Sequence, residues 1–128
     1  MEQVDYFPVA SSLESMRLPF SEAVQVGSVL YLSGAVGIDE TGTLVPGGIQ
    51  AQTRQALANI RSVLERHGSS LDRVVKSTVM LADIGEWAAM NVVYLEHFAN
   101  HLPARSAFGA SGLALGSRVE IECIATVG

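Results

Sequence analysis

Val119-Glu120-Ile121-Glu122-Cys123-Ile124-Ala125-Thr126-Val127 reads as a single β-strand. Successive side chains of a strand point to opposite sides. Val119, Ile121, Cys123, Ala125 and Val127 therefore share one face, and Glu120 and Glu122 lie on the other. The first face belongs in a core; the second does not. One segment earlier, Pro103-Ala104-Arg105-Ser106 places a lone arginine in an otherwise apolar run, Ala104 to Ala110, with no acidic residue nearby in sequence. Arginine stays charged at any working pH, and burying an unpaired charge is costly. Arg105 needs an anion from elsewhere, either another part of the protein or a ligand. If the two segments pair, the guanidinium and a carboxylate meet at one surface. An internal Arg105–Glu120 ion pair is then the structural alternative to ligand binding.

The chain has 128 residues, which fits one domain spanning 1–128. A chain of this size buries roughly 70% of the surface its unfolded form exposes, so it needs no disulfide or metal to fold. Only 16% of residues are charged, which points to surface hidden in an oligomer. The net charge is −5, and the eight basic residues are scattered, so nucleic acid is not expected as a main partner. The single cysteine, Cys123, cannot form an internal disulfide and reads as a small buried hydrophobe. No signal pattern opens the chain and no apolar run spans a bilayer, so no membrane partner is expected and the default compartment is the cytoplasm.

Working outward, Val4 to Val9 reads as a short edge strand ended near Pro8, and Ser11 to Met16 as a loop. Glu22 to Val26 and Val29 to Ser33 read as strands joined at Gly27-Ser28, where a leading glycine suits a type II′ turn. Asp39-Glu40-Thr41-Gly42 is a second turn. Ile49, Thr53, Ala56, Leu57, Ile60, Val63 and Leu64 mark one face of a long helix that Gly68 stops. Asp72 to Ala82 reads as a strand. A second helix starts near Asp83 and buries Ile84, Trp87, Ala88, Asn91, Leu95 and Phe98. Two strands follow, giving β-β-β-α-β-α-β-β. This order predicts an α+β two-layer sandwich, a mixed six-stranded sheet with two helices on one face. The uncovered face is expected to carry Glu120, Glu122 and Arg105, and to be covered by another subunit.

The arrangement resembles the RidA/YjgF family of reactive-intermediate (enamine/imine) deaminases. The likeness runs from Pro19 to Val127. It rests on Pro19-Phe20-Ser21-Glu22-Ala23-Val24, Leu32-Ser33-Gly34, the helix near Gln50, Asn91 with Tyr94 and Phe98, Pro103-Ala104-Arg105-Ser106 and Val119-Glu120-Ile121-Glu122. The resemblance implies a chorismate-mutase-like homotrimer with ligand clefts between subunits. It implies hydrolysis of 2-enamine or 2-imino acids to 2-keto acids and ammonia, with neither metal nor cofactor. Arg105 would bind the substrate carboxylate, since a planar guanidinium matches a carboxylate with two parallel hydrogen bonds. Glu120 would position the attacking water. Phe20, Ser33, Gly34, Asn91 and Ala107 would line the site.

Three positions depart from the family pattern. Phe20 stands where many relatives have tyrosine, Ala35 where they often have glutamine, and Ala107 where the best-known members have cysteine. These changes imply a more apolar site, suited to a bulkier or more hydrophobic imino acid. Two other functions compete with the deaminase reading. One is a non-catalytic protein that binds 2-keto acids through the same Arg105. The other is an endoribonuclease or translation inhibitor, which the acidic charge opposes. His97 and His101 are spaced to share a metal, but no third ligand is apparent in the sequence, and a cationic helix end explains them better.

Overall fold

The computed structural model describes residues 2–10 and 18–128, so the loop read from Ser11 to Met16 lies outside the described residues. Among the described residues, seven strands and two α-helices follow in order: β1 (Val4–Pro8), β2 (Ser21–Val26), β3 (Val29–Leu32), β4 (Ala35–Val36), α1 (Gly48–Arg66), β5 (Val74–Leu81), α2 (Trp87–His97), β6 (Ala104–Gly109) and β7 (Val119–Thr126). The sheet runs β1-β2-β3-β7-β5-β6, with β4 also paired to β7. It has seven strands, not six. The added strand, β4, holds only two residues and is too short to leave an alternating pattern.

The sheet is mixed because of one pair. β5 and β6 run parallel, while every other pairing is antiparallel. A parallel connection needs a long crossover, and α2 supplies it. β2 and β3 instead form a tight hairpin whose two-residue loop is Gly27-Ser28. Gly27 has φ +58° and Ser28 has no positive φ, which fits the expected type II′ turn.

The first helix follows its sequence signals. Ile49, Thr53, Ala56, Leu57, Ile60 and Leu64 are buried, and Val63 is partly so. Gly68, at φ +80°, ends it: the Ser69 N–H donates to the Leu64 carbonyl at 2.8 Å and the Gly68 N–H to the Glu65 carbonyl at 3.5 Å. This is the Schellman arrangement. Val119, Ile121, Cys123 and Ala125 of β7 pack in the same core, with Leu30, Leu32, Val79 and Leu81 from neighbouring strands.

The second helix departs from expectation. Met90, Val93 and Tyr94 are its buried residues, with Phe98 just beyond. Ile84, Trp87, Ala88 and Leu95, expected inside, are exposed, and Asn91 is half-buried. The helix is apolar nearly all round, so its periodicity does not single out one stripe. It also starts later, after a short 3-10 turn over Ile84–Glu86 that Asp83 caps through the Gly85 N–H.

One buried carboxylate ties the start of the chain to the end of α1. Glu22 is 8% exposed and accepts hydrogen bonds from Arg66 at 3.0 and 3.2 Å, from His67 at 2.6 Å and from the Ala10 N–H at 3.0 Å. The His67 ring stacks on Phe7 of β1, with centroids 4.0 Å apart. Burial alone would raise the Glu22 carboxyl pKa; the bonds from Arg66, His67 and Ala10 outweigh it and hold it below the ordinary glutamate value. A depressed carboxyl contributes stability above its unfolded pKa and loses it as pH falls through the folded one. Glu22→Gln should therefore lower stability by about 1–3 kcal/mol near neutral pH. The gap to wild type should shrink as pH is lowered toward 3, read from urea unfolding curves at several pH values.

Candidate active site

Arg105 takes its direction from the parallel pairing. In the β5–β6 register it lies opposite Ser77, and Ala107 lies opposite Val79. Ser77, Val79 and Leu81 are fully buried beneath the helices, so Arg105 and Ala107 also point to the helix side. There the Arg105 guanidinium donates from Nη1 to Asn91 Oδ1 at 2.7 Å. Its carbon lies 4.8 Å from the Tyr94 ring centroid and 5.5 Å from that of Trp87. None of the ion pairs among the described residues includes Arg105. Its positive charge is thus held by an amide and two rings, with no carboxylate to neutralise it.

Glu120 takes the other side. It pairs with Met80 of β5 and Val36 of β4, on the face that alternates with the buried residues of β7. Its carboxylate rests against Gly34 so closely that a Cβ there would collide with it. The preceding Ser33 is fixed by its hydroxyl, which donates to the Ser21 carbonyl at 2.6 Å, and by its N–H, which donates to the Glu22 carbonyl at 3.1 Å. Phe20, next to Ser21, is 48% exposed. Glu122 shares the face with Glu120 and is exposed.

The seven sequence-predicted residues therefore fall into two groups. Asn91, Arg105 and Ala107 lie on the helix side of the β6 edge. Ser33 and Gly34 lead to Glu120 on the uncovered side, and Phe20 precedes Ser21, whose carbonyl holds the Ser33 hydroxyl. Arg105 and Glu120 do not meet on one face, and the internal ion pair between them is not formed. The physical reason is register. The short β6 pattern, Ala104-Arg105-Ser106-Ala107, does not say which side faces inward, and the crossover through α2 decides it. The aromatic partners Trp87 and Tyr94 are additions to the residues expected at the site. Their spacing with Asn91, at i, i+4 and i+7, is the helical-face signal that points to them.

Cys123 plays no part in this chemistry. Burial, with a smaller effect from Glu122, pushes its thiol up to about 12. His97 uses Nδ1 to donate to the Val93 carbonyl at 2.9 Å, a bond within α2. No group of three or more potential metal ligands gathers among the described residues. No helix among them is long and apolar enough to cross a membrane.

Fold and site define an α+β protein with a half-buried arginine held by an amide and two rings and a separate carboxylate against a glycine. Residues 12–127 match the family model described as Endoribonuclease L-PSP. The chain is 46% identical over 111 residues to the mouse 2-iminobutanoate/2-iminopropanoate deaminase, covering 86% of this chain and 82% of that one. Identity to the human protein of the same name is 41% over 111 residues, covering 86% and 81%. Among solved structures, RidA from an Antarctic Psychrobacter species superposes with a TM-score of 0.83 at 37% identity, covering 98% of each chain. Yeast YEO7 gives 0.87 at 36%, covering 98% of this chain and 100% of that one. The chain belongs to the RidA/YjgF family of reactive-intermediate deaminases, the Endoribonuclease L-PSP group.

The thiol environment leads to a direct expectation. At pH 8, Cys123 in the native protein should resist iodoacetamide for hours and react within minutes in denaturant, followed by mass spectrometry. Rapid native labelling would show that the strand opens readily.

Proposed function

We propose that the protein hydrolyses 2-enamine and 2-imino acids to 2-keto acids and ammonia, a reading supported by relatives named 2-iminobutanoate/2-iminopropanoate deaminase. The observation that carries this reading is Arg105: a half-buried guanidinium held by neutral groups, with its charge free for a ligand carboxylate. The carboxylate of a 2-imino acid fits that fork with two charge-assisted hydrogen bonds. The imine carbon then sits one bond from the anchored group.

Glu120 takes a proton from water as the water oxygen adds to the protonated imine carbon. The tetrahedral carbinolamine receives that proton at nitrogen. The C–N bond breaks, and the hydroxyl proton leaves with ammonia as ammonium while the carbonyl forms. Positioned proton transfer of this kind typically contributes about 10²- to 10⁴-fold, enough for a reaction that already proceeds in water. Phe20, Trp87 and Ala107 give the pocket an apolar character, which favours imino acids with aliphatic or aromatic side chains.

A single copy holds Arg105 and Glu120 on opposite sides of its sheet. The uncovered face also presents Tyr31 at 46% and Phe108 at 47% exposure, which are large rings to leave in water. We infer a homotrimer in which the Arg105 side of one copy meets the Glu120 side of the next, so that each cleft draws on two copies. An RNA substrate is disfavoured by the net charge of −5 and the scatter of basic residues.

The test is a coupled assay in which an amino-acid oxidase generates 2-imino acids from small, aliphatic and aromatic amino acids. Arg105→Ala and Glu120→Gln should each cut the acceleration of imine loss at least tenfold while remaining folded. Co-refolded mixtures of the two variants should regain about a quarter of the wild-type sites, because some clefts then combine an intact Arg105 with an intact Glu120. Full activity in the arginine variant would sink the assignment. Keto-acid binding with no rate enhancement on any imine would favour the non-catalytic reading. Gly34→Ala should keep its thermal stability within a few degrees, since only the end of a flexible side chain must move, yet lose turnover as the Glu120 carboxylate is displaced.

A further inference from the structure

The Arg105 guanidinium is held by uncharged partners, and one of them is itself anchored. Tyr94 is 3% exposed, with its ring 4.8 Å from the guanidinium carbon. Its hydroxyl meets Ser77 Oγ at 2.5 Å. Ser77 is fully buried, and it is the residue directly opposite Arg105 in the β5–β6 pair. The contacts therefore close a loop. β5 holds Ser77, Ser77 holds the Tyr94 hydroxyl, the Tyr94 ring lies against the guanidinium, and the Arg105 backbone pairs back onto β5. Burial raises the Tyr94 pKa above that of an ordinary tyrosine, so the phenol stays neutral.

The neutrality matters. A carboxylate in the place of Tyr94 would hold the arginine but would also compete for its N–H fork. An aromatic face attracts the cation through its quadrupole and leaves the fork free for a ligand. Asn91 uses one N–H, which fixes rotation about the guanidinium and still leaves donors available. The Ser77–Tyr94 bond buries both hydroxyls together, so neither is left unsatisfied.

Building on the reading of Arg105 as the carboxylate clamp, we propose that Tyr94, aimed by its buried hydrogen bond to Ser77, is a positioning residue that sets the guanidinium for substrate carboxylates. Its contribution falls on binding of the carboxylate, which is present in both ground and transition states. Its loss therefore appears in KM far more than in kcat.

The experiment compares Tyr94→Leu, Tyr94→Phe, Ser77→Ala and Arg105→Ala for turnover of 2-iminobutanoate. It also compares inhibition by 2-oxobutanoate with inhibition by its uncharged amide. Tyr94→Leu should raise KM and the 2-oxobutanoate inhibition constant about tenfold, with kcat within about twofold and inhibition by the amide unchanged. Tyr94→Phe keeps the ring but loses the anchor, and should give about a threefold rise. Adding Ser77→Ala to Tyr94→Phe should have no further effect on the inhibition constant, because both changes remove the same contact. A general loosening of the fold would instead lower kcat and weaken both inhibitors alike, and that result overturns the proposal. So does a wild-type KM in Tyr94→Leu when Arg105→Ala has lost its preference for the keto acid over the amide; Arg105 then remains the clamp. If Arg105→Ala keeps that preference, the clamp reading itself falls and the proposal with it. Should Tyr94→Leu fail to fold, Tyr94→Phe and Ser77→Ala decide: an unchanged carboxylate preference in both overturns the proposal.

Discussion

The parallel pairing of β6 with β5 is the constraint on which the rest of this structure depends. It requires α2 as a crossover, and it sets Arg105 opposite Ser77. Moving the register by one residue would turn Arg105 out to the uncovered face and bring Ser106 in. Asn91, Tyr94 and Trp87 would then face no cation. The arginine site is thus a product of the sheet, while the helix that closes the parallel crossover also supplies its partners.

The molecule treats two of its ionic groups, buried Glu22 and half-buried Arg105, in opposite ways. Glu22 is surrounded by donors: Arg66, His67 and the Ala10 N–H satisfy its oxygens and hold it ionised. That arrangement ties β1 and the end of α1 to β2. Arg105 has partners that fix its place without cancelling its charge. Removing a partner from a satisfied buried charge is costly to the fold, whereas a positioned charge without a counter-ion has its binding capacity open. The contrast supports a structural role for the first and a substrate role for the second.

The separation of Arg105 from Glu120 has a consequence for assembly. The two side chains leave opposite faces of one sheet, with β5 between their strands. The two residues proposed to share one reaction are thus held apart within a single copy. Together with the exposed Tyr31 and Phe108, this supports a cleft shared between copies. The Glu120 carboxylate occupies the space that a Cβ at Gly34 would take, so a glycine there is what leaves room for it.

Local physics made much of the fold legible in the amino-acid order alone. The alternation in Val119 to Val127 set the inward face of β7, the spacing from Ile49 to Leu64 set the buried stripe of α1, and Gly27 and Gly68 marked a turn and a helix end. The lone arginine in Ala104 to Ala110 and the family motifs around it marked Arg105, Glu120, Gly34 and Asn91 as candidates. Other features depend on contacts distant in sequence. α2 is apolar nearly all round, so only packing against α1 and the sheet selected Met90, Val93 and Tyr94 for the interior. β4 is two residues long and exists because β7 offers it partners. The side on which Arg105 emerges follows from pairing register, a relation between strands that no single segment encodes. Tertiary structure alone therefore decided that the guanidinium lies against Tyr94 on one face while Glu120 lies on the other.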